Sequence, residues 1–266
     1  MAGKQVRVFI IDTTIKVRWG RKSRLKKKDL RAMRKEMQII FQDPYASLDP
    51  RKTVFQILAE PYQIHHPEMS RDEIYDHVTK LIDCVGLRPE HICRYPHEFS
   101  GGQRQRVGIA RAIALNPEFV VCDEPVSALD VSIQAQVINL MQDIKKEFNL
   151  TYLFISHDLR IIKHFCDRVM VMYLGNIVEL GTREAIYEKR RHPYTKALLS
   201  AIPDIRGEEG HERILLTGDI PSPVNPPSGC PFHPRCSCCM EICKKEKPAL
   251  RTLADGTQIA CHLNLE

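Results

Sequence analysis

Apolar runs alternate with amphipathic stretches along the chain, and this pattern predicts strands and helices in turn. The apolar runs predict strands within Gln5–Ile15 and at Met37–Phe41, Phe119–Cys122, Leu150–Ile155 and Val169–Leu174. Helical spacing predicts helices at Lys27–Glu36, Val54–Val85, Gln103–Leu115, Ile133–Phe148 and Leu159–Cys166. Strands that alternate with helices favour a mainly parallel α/β sheet. We therefore expect functional side chains at the carboxyl ends of the strands, where such sheets bind ligands.

The composition changes after Gly181, where prolines become frequent and regular periodicity fades. Five of the ten cysteines lie between Cys230 and Cys243. We therefore predict a main domain at 1–202, with a helical subdomain at about 44–115, and a small Cys/Pro-rich appendage at 203–266. The sequence has no run of 18 apolar residues and no recognisable secretory signal, so we expect a cytoplasmic protein.

Positive charge is concentrated near the start of the chain. The net charge is +6, and a basic run extends from Lys16 to Lys35. Such a run is typical of a solvated helix face, a nucleic-acid contact or a contact with an anionic membrane. Trp19 is isolated and no aromatic residues interleave the cations, so we expect no binding of single-stranded nucleic acid.

A serine followed by two glycines precedes one predicted helix. Ser100, Gly101, Gly102 and Gln103 form a loop whose glycines let the backbone approach a ligand closely. The N–H groups and dipole at a helix start favour an anion, so this loop is a candidate phosphate contact.

Carboxylates follow the buried strand Phe119–Cys122. Asp123 at a strand tip suits Mg²⁺ held through water, and the adjacent Glu124 can polarise an attacking water. His157 follows the next strand, where we expect it to reach a γ-phosphate. Gln42 follows the strand Met37–Phe41 and can bind metal or orient water.

Together these segments resemble ABC ATPases. The signature-like loop Ser100–Gln103, the Walker B strand ending at Asp123 and Glu124, the D-loop Ser127–Asp130, the H-loop His157 and the Q-loop Gln42 have that order and spacing. The resemblance implies an α/β, P-loop NTPase-like ABC core that uses ATP and Mg²⁺, with Asp130 also at the nucleotide. Segments similar to the F-type second ATPase subunit of oligopeptide and dipeptide importers are Phe41–Pro50, His192–Leu199, Pro221–Pro223 and Asn225–Cys230.

The resemblance also implies partners. They are a D-type second ATPase subunit in a heterodimer, two membrane permease subunits and, indirectly, an extracytoplasmic solute-binding protein. The expected location is the cytoplasmic face of the cell membrane, the expected cargo is a peptide or a related solute such as nickel, and no nucleic-acid partner is expected. A soluble ABC ATPase of DNA repair or translation is a further reading, supported only by the basic run.

The cysteine-rich tail is a candidate metal site. Cys230, Cys236, Cys243 and Cys261 could hold Zn²⁺ or an iron–sulfur cluster, or remain free thiols. The family resemblance implies a [4Fe–4S] cluster. Ser237, which stands where the family usually has proline, and the extra thiols of Cys238 and Cys239 leave the choice of ligands open.

The 266 residues contain no G-x-x-x-x-G-K-[ST] motif, the P-loop that holds the phosphates in ABC ATPases. Gly3-Lys4-Gln5 does not match it, and Val6–Ile15 resembles the strand that follows the P-loop helix. We therefore expect the strand Phe119–Cys122 to have an unpaired edge. We also expect the signature loop of this chain to complete the ATP site of a partner subunit. The alternative is a non-catalytic remnant or regulatory half.

Overall fold

The computed structural model describes residues 8–9, 27–202 and 213–264. These residues form two units, one of 27–155 and one of 8–9 with 156–264, and each is described by itself. Of the strand predicted within Gln5–Ile15, Val8–Phe9 forms strand β1. The remainder of that strand, Trp19 and the basic run before Lys27 lie outside the described residues.

The first unit contains a three-stranded parallel sheet. Its strands are β2 (Met37–Ile40), β3 (Phe119–Asp123) and β4 (Thr151–Ile155), in the order β2-β3-β4. Val120 and Cys122 are fully buried, as expected for a strand covered on both faces. The expectation of an unpaired edge at Phe119–Cys122 is wrong, because β2 and β4 pair with β3 on its two sides.

Three helices of the first unit precede or follow these strands along the chain. They are α1 (Lys27–Glu36), α5 (Gly101–Ile113) and α6 (Val131–Glu147). The bounds of α1 agree with its prediction, and α5 and α6 begin two residues earlier than predicted. Helix α5 packs on β2 and on α6 through a buried face that includes Val107, Ile109 and Ile113. This packing fixes the position of the loop that begins α5.

A group of helices lies between β2 and α5. Its members are α2 (Pro44–Ser47), α3 (Val54–His65), α4 (Arg71–Cys84) and the 3-10 turns Pro89–Cys93 and Pro96–Glu98. Capping boxes begin α3 at Thr53 and α4 at Ser70, which satisfy the first N–H groups of each helix. The helical spacing predicted over Val54–Val85 is therefore divided between two helices that pack on each other, and Leu58 and Val78 are buried within them.

The second unit contains a five-stranded sheet whose described pairs are all antiparallel. The order is β1-β5-β6-β8-β7, with β5 at Arg168–Tyr173, β6 at Asn176–Thr182, β7 at Arg251–Thr252 and β8 at Gln258–Ile259. The strand predicted at Val169–Leu174 therefore does not join the parallel sheet. A turn at Leu174 and Gly175 reverses the chain, and β5 then pairs with β6.

Short helices complete the second unit: α7 (Leu159–Phe165), α8 (Pro193–Leu199) and α9 (Glu241–Lys245), with a π-helical turn at Ala185–Lys189 and a 3-10 turn at His233–Arg235. Phe232 of the cysteine-rich segment is buried against Tyr173 and Tyr194, with ring centroids 5.2 Å apart in both pairs. Among the described residues no helix is long and apolar enough to cross a membrane.

Candidate functional site

The predicted signature loop forms the N-terminal cap of α5. The Ser100 hydroxyl accepts a hydrogen bond from the Gln103 N–H at 3.3 Å, and the Gln103 side-chain oxygen accepts one from the Ser100 N–H at 3.0 Å. This reciprocal cap leaves the backbone of Gly101 and Gly102 in the first turn, where the aligned peptide dipoles carry partial positive charge. The loop can therefore offer backbone N–H groups to an anion.

The glycines of this loop pack closely on the segment after β3. A Cβ atom at Gly102 would lie 2.5 Å from Cγ2 of Ile133, and one at Gly101 would lie 3.4 Å from Cδ2 of Leu129. Only the first distance is shorter than any ordinary contact, so glycine is required at 102 for close approach to α6. The signature loop and the predicted D-loop are thus in direct contact.

The side-chain amide of Gln134, which the sequence analysis did not single out, holds the D-loop region in place. Gln134 donates hydrogen bonds from Nε2 to the carbonyls of Val126 and Leu129, both at 3.0 Å. Asp130 is the N-cap residue of α6, yet its side chain makes no capping hydrogen bond. The sequence signal for these hydrogen bonds was the position of Gln134, a glutamine in the first turn after the N-cap residue Asp130.

Asp123 and Glu124 differ in backbone conformation although they are adjacent. Asp123 ends β3 and is exposed, whereas Glu124 has a φ of 47°. The Glu124 N–H donates to the Ile155 carbonyl at 2.9 Å, and its carbonyl accepts from the Ser127 N–H and hydroxyl. Such a left-handed residue costs roughly 1–3 kcal/mol and persists where its surroundings enforce it. The two carboxylates therefore leave the strand in different directions.

Gln42 and Glu124 come together although 82 residues separate them. The Gln42 amide Nε2 donates to a Glu124 carboxylate oxygen at 2.9 Å. The next residue, Asp43, caps α2 by accepting from the N–H groups of Tyr45 and Ala46 at 2.8 and 3.2 Å. Because β2 and β3 are parallel neighbours, their carboxyl ends meet at one edge, as the sequence pattern predicts.

Two adjacent carboxylates and one amide can serve a hydrated Mg²⁺. This ion usually keeps several waters and takes one or two protein carboxylates together with phosphate oxygens. Asp123 and the side-chain oxygen of Gln42 have that chemistry.

His157 lies in the second unit, two residues beyond the last residue of β4. Its neighbour Asp158 caps α7 by accepting from the Arg160 N–H at 2.8 Å. The Asp158 N–H in turn donates to the Ser156 hydroxyl at 3.1 Å. These bonds fix the backbone on both sides of His157.

The four predicted cysteine ligands lie in the second unit and are free thiols. Burial raises the pKa of Cys230, of Cys261 and of Cys236, the last to about 11. The charge of neighbouring thiols adds to each of these shifts, and the Cys230 N–H donates to the Cys243 carbonyl at 2.8 Å.

Proximity alone does not make a metal site. In the part of the chain that the structure describes, no group of three or more His, Cys, Asp or Glu side chains could hold a metal ion. The predicted [4Fe–4S] or zinc centre therefore has no support from this geometry.

A buried polar cluster in the second unit was not predicted. Glu179 on β6 is fully buried, and its two carboxylate oxygens accept from the backbone N–H groups of Arg191 and His192 at 3.2 and 3.1 Å. Burial raises the pKa of Glu179, and these hydrogen bonds oppose that shift. The buried His192 caps α8 by accepting from the Tyr194 N–H at 3.0 Å. An acid within an otherwise apolar strand was the only signal in the sequence.

Solved structures identify the class of protein to which this arrangement belongs. The chain resembles cbiO1 from Clostridium perfringens, part of the ABC transporter complex cbiONQ, with a TM-score of 0.56 and 26% identity. That match covers 62% of this chain and 64% of cbiO1. It also resembles the ATP-binding cassette MJ0796 in a dimeric post-hydrolysis state, with a TM-score of 0.53 and 25% identity over 60% of this chain and 68% of that one. The fold is that of an ABC ATPase.

Sequence comparison defines the family. Residues 10–127 match the ABC transporter profile, and residues 178–243 match the oligopeptide/dipeptide transporter C-terminal region. The chain is 54% identical to the oligopeptide transport ATP-binding protein AppF of Bacillus subtilis, over 91% of this chain and 74% of AppF. It is also 54% identical to OppF of Escherichia coli (85% of this chain, 68% of OppF) and to the dipeptide transport protein DppF of Haemophilus influenzae (86% and 69%). The chain belongs to the family of oligopeptide and dipeptide transport ATP-binding proteins, which confirms the resemblance inferred from its motifs.

Proposed function

We propose that this chain is an ATP-binding subunit of an ABC importer for peptides or related solutes such as nickel. It couples ATP binding and hydrolysis at a dimer interface to solute uptake. The observation that carries the proposal is the hydrogen bond between Gln42 and Glu124 at the carboxyl ends of parallel strands, in a chain that belongs to this family. The named roles of OppF and DppF in oligopeptide and dipeptide transport support the cargo class.

In this proposal each polar residue has a separate task. Where a P-loop completes this half-site, Glu124 would polarise the attacking water, Asp123 would hold Mg²⁺ through water, and Gln42 would orient the Glu124 carboxylate. The 266 residues contain no P-loop motif, so we expect these residues to face an empty half-site. In the same half-site His157 would contact the γ-phosphate, and Asp130 of the D-loop would also lie at the nucleotide. The proposed ATPase domain is 1–202, followed by the appendage 203–266.

The signature loop is the part that we expect to act on a partner's nucleotide. Ser100–Gln103 presents the start of a 13-residue helix, and the 266 residues contain no P-loop motif of their own. The partner in this proposal is a D-type ATPase subunit, and its P-loop and the Ser100–Gln103 loop would enclose one ATP. A non-catalytic remnant or regulatory half is the second candidate, favoured by the same missing motif.

Docking on the permease subunits is proposed at the segment around Gln42. Phe41 and Tyr45 are 45% and 55% exposed, and the Arg104 guanidinium lies 5.2 Å from the centre of the Tyr45 ring. Exposed aromatic and arginine side chains are typical anchors of protein interfaces. The resulting location is peripheral, at the cytoplasmic face of the membrane, with the solute-binding protein on the other side. Retention of the chain on membranes washed with high salt should then require co-expressed permease subunits.

The test is the ATPase rate of the co-purified pair of this chain and its D-type partner. Ser100→Arg should lower the rate by more than tenfold, because the added side chain blocks the loop that completes the partner's site. Glu124→Gln in the 266-residue chain should leave the rate within about twofold, because no P-loop motif within these residues completes the half-site that Glu124 faces. Lys80→Gln, an exposed change on α4, is the matched control.

The measured ATPase rates distinguish the two candidate functions. A large loss with Glu124→Gln would show that this chain hydrolyses ATP at its own site. A pair whose rate is the same with or without this chain would favour the non-catalytic remnant.

A further inference from the structure

Helix α1 lies at the end of the most basic part of the chain. Eleven Lys and Arg residues and a single acid lie between Lys16 and Lys35, whereas the whole chain has a net charge of only +6. Helix α1 carries five of these cations, Lys27, Lys28, Arg31, Arg34 and Lys35. The ATP-related roles proposed above use none of them.

Three of the cations of α1 have described side chains, and these face solvent fully or in part. Arg31 and Arg34 are exposed and Lys35 is partly exposed, while Leu30 and Met33 turn towards the protein. No described acid lies within salt-bridge distance of the three cations. The Arg31 guanidinium donates to the Ile64 carbonyl, which anchors the helix against the end of α3.

The positive charges of α1 contribute to the lowered pKa of a neighbouring histidine. The pKa of His65 is lowered, first by burial and then by the charges of Arg31, Lys35, Arg34 and the adjacent His66. Lys35 also contributes weakly to the lowered pKa of Glu68, whose larger contributions come from a backbone hydrogen bond and His66.

We propose that the solvent-facing side of α1 binds the anionic headgroups of a phospholipid membrane. Clusters of four to eight Lys and Arg residues bind such surfaces, each cation contributing to the affinity in a salt-dependent way. Helix α1 contains no aromatic residue on which a base could stack, which disfavours nucleic acid as the occupant. The inference goes beyond ATP chemistry and needs neither nucleotide nor permease.

Sedimentation with lipid vesicles tests the proposal on the full chain. Wild type should bind vesicles of 30% phosphatidylglycerol in phosphatidylcholine and should not bind pure phosphatidylcholine, and 0.5 M salt should release it. Arg34→Gln with Lys35→Gln should weaken the partition coefficient by about fivefold per charge, roughly 25-fold together. The control pair Lys80→Gln with Lys146→Gln removes two exposed cations from α4 and α6 and should have little effect.

Three results would overturn the proposal. They are equal binding of wild type to both vesicle types, equal loss in the two double variants, and binding of wild type to poly-U RNA, lost in the Arg34→Gln/Lys35→Gln variant, with no binding to phosphatidylglycerol. The last result would assign α1 to nucleic acid. Circular dichroism of each variant establishes that it is folded. Because no ATP is present, a negative result here leaves the proposed ATPase role intact, and failure of that role leaves vesicle binding intact.

Discussion

At the scale of single residues, Gly102 is the position of the candidate site with the least room. Gly102→Ala would bring a methyl group 2.5 Å from Cγ2 of Ile133, and a β-branched side chain in a helix cannot turn away easily. We expect a loss of about 1–3 kcal/mol in the free energy of unfolding, measured with urea. Gly101→Ala is the matched control, since its new methyl group would meet Leu129 at an ordinary distance.

A second substitution tests whether the loss of stability in Gly102→Ala comes from the contact with Ile133 or from a change in backbone conformation. If the contact with Ile133 is the cause, Ile133→Ala should restore most of the stability lost in Gly102→Ala. An unrescued double variant, or equal effects of the two glycine changes, would contradict this account.

His192 should make the second unit sensitive to acid. Burial lowers its pKa from 6.5 to about 4, so between these values the unfolded chain binds the proton more tightly than the folded chain. Stability from this group is complete above pH 6.5 and falls as the pH approaches 4, by at most about 3 kcal/mol. The raised pKa of the adjacent Glu179 acts in the opposite direction, because a folded carboxyl that holds its proton more tightly gains stability in acid.

The contribution of His192 can be isolated by substitution. His192→Asn keeps a side-chain acceptor for the Tyr194 N–H but does not titrate in this range. Urea unfolding at pH 7 and pH 4.5 should show a smaller loss on acidification in the variant than in wild type. An identical loss in both proteins would rule out His192 as the source.

At the scale of elements, the hairpin between β5 and β6 contains an unfavourable residue. Leu174 and Gly175 have φ angles of 45° and 75°, the two left-handed positions of a tight hairpin turn. Leucine is disfavoured there, whereas asparagine is a preferred residue at the first position. Leu174→Asn should raise the unfolding free energy by about 0.5–1 kcal/mol, compared with Leu174→Ala, which keeps the strain. Equal stability of the two variants would disprove the argument.

The elements also show what the sequence could and could not predict. The strands β2, β3 and β4 were predictable because each is a short apolar run, and parallel pairing then placed Gln42 beside Glu124. Strand β6 was missed because Asn176 and Glu179 interrupt its apolar pattern. Its pairing with β8 joins residues 78 and 80 positions apart, and no local pattern specifies such a contact. The contact of Glu179 with the backbone of His192 spans 13 positions and likewise depends on how the chain turns back after β6.

At the scale of the whole molecule, the missing P-loop motif predicts how the 266-residue chain responds to nucleotide. A P-loop supplies several hydrogen bonds to phosphate, and each bond to a charged group contributes roughly 1.5–3 kcal/mol. Without them, we expect an ATP dissociation constant of 1 mM or weaker. Ligand linkage then limits the stabilisation by 1 mM Mg-ATP to about 0.4 kcal/mol, whereas a micromolar site would give about 4 kcal/mol.

Thermal unfolding with and without Mg-ATP separates these two cases, since only the stronger binding shifts the melting temperature by several degrees. The D-type partner alone and the mixture of both chains are the necessary comparisons. We expect the mixture to be stabilised by ATP beyond the partner alone, and Ser100→Arg to remove that excess. A large shift of the melting temperature for the isolated chain would mean that residues of this chain other than a P-loop hold the phosphates. The proposal that this chain contributes only its signature loop to the partner's ATP site would then be wrong.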